Sequence, residues 1–136
     1  MGKLVHDNVL DAALNYLENA NRLIVLSAEP ASYANATTNY DSSGYKLAEA
    51  TISALDFTGP ADGDTSGRKM TIGAQNSMSI NGVALTANAT HVALVKVSSV
   101  ASSQLVLYVT TCTSQTLTGG NKVNTPAWTV EIRDPS

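Results

Sequence analysis

The chain has 136 residues, a formal net charge of −3 and 14% charged residues, where an ordinary domain carries about 25%. That length predicts one domain that buries about two-thirds of its unfolded surface. One cysteine rules out an intrachain disulfide, two histidines leave no ligand set for a zinc framework, and scattered basic residues leave no nucleic-acid footprint.

No apolar run approaches the ~18 residues that span a bilayer. The opening "MGKLVHDNVLD" lacks a signal-peptide core, and His6 breaks the myristoylation pattern. The expectation is a protein made in the cytoplasm, with no membrane or nucleic-acid partner. The surplus of Ala, Ser, Thr and Asn suits packing against other protein more than steering a charged ligand.

The first element is a helix over 8–20. Leu10, Ala13, Leu14 and Leu17 recur at helical spacing, Asp7 or Asn8 can cap the first turn, and Asn19 and Asn21 signal the stop. Its apolar face is narrow, so the helix should lie on something. "RLIVLS" (22–27) reads as a strand. Residues 28–45 read as a long loop without period, which Tyr33, Tyr40 and Tyr45 pin to a surface. "KLAEATISALDF" (46–57) fits helix or strand, and the β-branched Thr51 and Ile52 favour strand.

Residues 58–68 read as a turn-rich loop, and 68–75 as a strand with Met70 and Ile72 on one face. Asn81-Gly82, between Met78/Ile80 and Val83/Leu85, is a hairpin signal. "THVALVKV" (90–97) and "QLVLYVTTC" (104–112) read as an antiparallel pair with both faces covered. Symmetric closure around residue 101 sets Val97 against Leu105, Val95 against Leu107, Ala93 against Val109 and His91 against Thr111. Trp128, Val130 and Ile132 then alternate with Thr129, Glu131 and Arg133 in a strand with one wet face. One helix and seven or eight short strands predict a mainly β domain, an antiparallel β-sandwich or jelly roll. Residues 1–21 form its helical segment and 22–136 its sandwich.

Cys112 with His91 is the one candidate nucleophile–base pair. The register above puts them on opposite faces, which favours Cys112 as a small buried hydrophobe over a cysteine-dependent enzyme. Asp62, Asp64 and Ser66 begin like a calcium loop, but Gly73 stands where the closing Glu would be, so a polar turn is the plainer reading. Asn35-Ala36-Thr37 and Asn88-Ala89-Thr90 match the glycosylation pattern and, without a signal peptide, express loop composition. The alternation at Trp128 makes it core rather than a sugar-stacking platform. No metal, cofactor or catalytic residue is expected.

Four blocks carry a likeness: Thr90 to Leu94, Leu107 to Thr111, Leu117 to Asn121 and Pro126 to Ile132. Together they resemble a module of tailed-bacteriophage virion proteins. In that module a "THVAL" strand precedes an "LLYVT" strand, a threonine-rich turn and a "P-A-W-x-[VI]-E-I" strand. "VHDNVLDAALNYL" and "DGDTSGRKMTI" are similar to it as well.

The resemblance implies a small structural protein of the phage particle. One form is a cement or decoration protein on the capsid surface, bound to the major capsid protein as a homo-oligomer, dimer or trimer. The other is a head-tail, tail or fibre-associated part. On either reading, Leu10, Leu14 and Leu17 of the helix and Tyr33, Tyr40 and Tyr45 of the loop are the expected contacts outside the core.

Overall fold

The computed structural model describes residues 4–135. Helix α1 (Asp7–Asn15) continues as a 3-10 turn, Tyr16–Asn19. Its N-cap is His6 rather than Asp7 or Asn8. The chain is still extended at His6, and the ring Nδ1 accepts a hydrogen bond from the Asn8 backbone N–H at 3.2 Å. Asp7 then sits in the first turn, where the helix dipole favours an acid.

The strands are β1 (Arg22–Leu26), β2 (Lys46–Thr51), β3 (Phe57–Asp62), β4 (Arg68–Ile72), β5 (Gln75–Ser79), β6 (Thr86–Lys96), β7 (Leu105–Thr118), β8 (Lys122–Thr125) and β9 (Trp128–Ile132). They form a large sheet in the order β2-β1-β6-β7, a small sheet β3-β4-β9, and a two-stranded ribbon β5-β8. Every pairing between named strands is antiparallel. The fold is thus mainly β with one N-terminal helix, consistent with the expected sandwich.

The large sheet is covered on both faces. Leu23, Val25, Val92 and Leu94 point into the main core, shared with Met70, Ile72 and Val130 of the small sheet. Ile24, Leu26, Ala93 and Val95 point the other way into a second cluster. That alternation follows from the period of two along a strand, and it explains why β1 and β6 read as continuous apolar runs.

The second cluster is roofed by a short helix, α2 (Tyr33–Thr37), where a periodless loop was expected. Ser32 starts it, its hydroxyl accepting from Asn35 N–H at 3.2 Å. Five residues are too few to show a helical period, so tertiary contact decides its form.

Two further expectations change. Residues 58–62, expected as loop, belong to strand β3; Pro60 is tolerated because β3 lies at the edge of its sheet. The β3–β4 hairpin closes where Gly63 N–H donates to Gly67 O, with Gly67 at φ 70. Asn81-Gly82 does not join paired strands, because β5 pairs with β8. Gly82 is needed for close approach instead. Its N–H donates to Leu47 O at 3.0 Å, and a Cβ there would collide with the Lys46 carbonyl.

The β6–β7 register holds at His91↔Thr111 and Ala93↔Val109. A bulge then sets Val95 against Val106 and Lys96 against Leu105, one residue off the symmetric expectation. β7 also runs six residues past Cys112, to Thr118.

Candidate functional site

The helix leucines face inward. Leu10, Leu14 and Leu17 are 6%, 0% and 8% exposed. They belong to this chain's own core because α1 lies on the small sheet, chiefly against β4. Arg68 of β4 holds the helix there, its Nε donating to Asp11 Oδ1 at 2.7 Å and its Nη2 to Oδ2 at 3.3 Å. This corrects the expectation that these leucines reach outside the core. A three-stranded sheet needs cover on its apolar face, and α1 supplies it.

The tyrosines divide. Tyr33 and Tyr45 pack on the second cluster and pin the 28–45 segment to the large sheet, as expected. Tyr40 is 44% exposed. Of the six expected contact residues, it alone presents a largely open ring.

His91 and Cys112 are not brought together. Three residues, 112–114, bulge opposite Thr90, between the pairs His91↔Thr111 and Ala89↔Gln115. Cys112 packs against the main core, while His91, beside Ala93 in the alternation, lies on the face of the second cluster. The Thr90 hydroxyl donates to Ser27 O at 2.8 Å, so its oxygen accepts from His91 Nδ1–H, also at 2.8 Å. That imidazole orients nothing toward sulfur. Burial pushes the Cys112 thiol up from its ordinary value, with a hydrogen bond from its own backbone pulling the other way. The geometry is that of a packed side chain.

The 62–67 turn has its carboxylates in ion pairs. Asp62 Oδ1 accepts from Arg68 Nη1 at 2.6 Å, and Asp64 pairs with Lys69. Asp64 N–H donates to Glu131 Oε2 of β9 at 2.8 Å. Among the described residues no three His, Cys, Asp or Glu side chains group closely enough to hold a metal ion. No helix of the described residues is long and apolar enough to cross a membrane.

What the sequence did not signal is a cleft of about 520 Å³ between β7 and the β8–β9 segment. Val25, Val92, Leu117, Val123 and Trp128 give it apolar walls, and Thr110 to Thr113 with Thr125 add small polar groups. No charged side chain lines it. Thr125 Oγ1 and Trp128 Nε1, both buried, have no hydrogen-bond partner among the described residues. The signal that could have pointed here is the Thr-Thr-Cys-Thr-Ser run, too polar for a strand with a packed inner face.

No family model, no curated protein and no solved structure matches this chain.

Proposed function

We propose that this chain is a structural protein of the tailed-phage virion, a cement or decoration protein that binds the major capsid protein and stabilises the capsid. One observation carries the reading: where the phage-like blocks fall. Thr90–Leu94 lies in β6, Leu107–Thr111 in β7, Leu117–Asn121 at the β7–β8 turn, and Pro126–Ile132 runs into β9. The likeness therefore sits on the strands that build the sandwich, and a likeness of scaffold suits a role in architecture. A low-charge surface agrees with it, since many modest contacts repeated by symmetry add through multivalency. Cys112 and His91, on opposite faces of the sheet, have no part in this role.

The test is quantitative mass spectrometry of purified particles, with binding of the recombinant protein to heads lacking it. Hundreds of copies per particle and rebinding to the head surface are the expected result. A handful of copies moves the assignment to the head-tail junction, tail or fibre. No copies, with no binding to heads, ends the virion reading.

A further inference from the structure

Sheet edges carry unpaired backbone donors and acceptors, and folded proteins guard them with charge, proline, short length or a covering loop. Five of the six edges here are guarded. On β2, Lys46 N–H donates to Thr38 O, Gly82 N–H donates to Leu47 O, and Ala48 bridges to Ile80. β3 carries Pro60 and ends on Asp62. β9 has five residues and includes Glu131. β5 and β8 are short, at five and four residues, and β8 begins on Lys122.

β7 is the exception. It is a 14-residue edge strand, "LVLYVTTCTSQTLT", with no charged residue, proline or glycine; two bulges, one at 112–114 and one opposite Leu94 and Val95, are its one guard. At the rise of an extended strand its regular runs, Tyr108 to Thr111 and, beyond the 112–114 bulge, Gln115 to Thr118, give two straight edges of about 13 Å each. Among the described residues, no backbone group from 105 to 117 makes a backbone hydrogen bond outside the β6–β7 pair.

We infer that β7 is a pairing edge for a second copy of this chain, so that the large sheet continues through a two-fold axis as β2-β1-β6-β7-β7-β6-β1-β2. The geometry argues for a copy over another partner. An antiparallel strand is self-complementary about a two-fold axis, the symmetry of an isologous dimer. With no charge on β7, the self-pairing sets no like charges opposite each other, and the centre at 110–116 brings only small or neutral polar side chains together.

An axis perpendicular to the sheet also keeps both inner faces on one side. Each copy's cleft, between β7 and the β8–β9 segment, then opens toward the other's, and the pair closes both. A cleft lined by no charged side chain suits such closure. The inference does not depend on the virion assignment.

Light scattering coupled to size exclusion tests it, on the intact chain and on a Thr111→Lys, Thr113→Lys double variant. Both threonines are exposed and lie on the β7 edge. The expected result is twice the chain mass for the intact protein and a single chain mass for the variant, with unchanged circular dichroism. An intact protein that is monomeric at micromolar loading overturns the inference. So does a variant that stays dimeric, any stoichiometry other than two, or open-ended aggregation. If the variant misfolds, hydrogen exchange on the intact protein decides. Alternate β7 amides must be protected at high concentration and lose that protection on dilution; exchange independent of concentration overturns the pairing.

Discussion

Tyr108 and Trp128 stack across the sandwich, with ring centroids 6.0 Å apart and planes 26° from parallel. One stands on β7 of the large sheet and the other on β9 of the small one, so the pair fastens the two sheets beside the cleft. Trp128→Ala removes a large, half-buried ring and leaves a void. It should lower stability by about 3 kcal/mol, read as a fall in the urea midpoint. A double-mutant cycle with Tyr108→Ala should return a coupling of about 1 kcal/mol. Additive losses would mean that the stacking contributes nothing beyond burial.

Leu14 is fully buried beneath α1. Leu14→Ala should cost about 3 kcal/mol. Because the helix covers the small sheet rather than hanging free, helix and sheet should unfold in one transition. Far-ultraviolet circular dichroism and Trp128 fluorescence should therefore give the same midpoint. Two separate midpoints would show that the helix is only loosely docked.

Gly82 sits where a Cβ would strike the Lys46 carbonyl, and its own carbonyl accepts from Asp41 N–H at 3.1 Å. Gly82→Ala must push the 80–82 segment off β2. A loss of about 2 kcal/mol is expected, typical of overpacking, with faster amide exchange at Gly82 and Asp41. Thermal unfolding equal to that of the unaltered protein would contradict it.

The Cys112 thiol, raised by burial, should react with a disulfide reagent more slowly than a free small thiol at neutral pH. Its rate should keep rising with pH beyond the point where the small thiol levels off. The sign for stability follows. A raised thiol stabilises the fold fully below its unfolded value, and that contribution is lost as pH climbs through the folded one. Cys112→Ser should leave the mass in solution unchanged and remove this alkaline slope. Rapid labelling at neutral pH would instead mark an activated cysteine.

The strands were legible where composition and period agree. β1, β4, β6 and β9 follow from their apolar spacing, and the β6–β7 register from the symmetry of the turn until a bulge after Leu94 breaks it. The helix was legible too, but its destination was not. A narrow apolar stripe reads alike whether it meets a partner or its own small sheet, and only the position of β4 decides between them. Asn81-Gly82 misled because glycine serves close approach as well as turns. β3 was hidden by Gly59-Pro60, which an edge strand tolerates. The cleft was illegible because it is made by the 112–114 bulge and by the β8–β9 segment, whose apposition has no periodic signal.

The large sheet is assembled from two antiparallel pairs, β1–β2 and β6–β7, joined along the whole of β1, from Arg22 opposite Val95 to Leu26 opposite His91. Residues 27–85 lie between β1 and β6 in the chain. A lone two-stranded hairpin is marginal in water, so β1–β2 cannot hold until β6 has left the ribosome. Through that interval the β1 edge that β6 will pair with, Arg22 to Leu26, stays open. A nascent chain of this order is exposed to premature association, and the long-range joining of β1 to β6 works against fast folding.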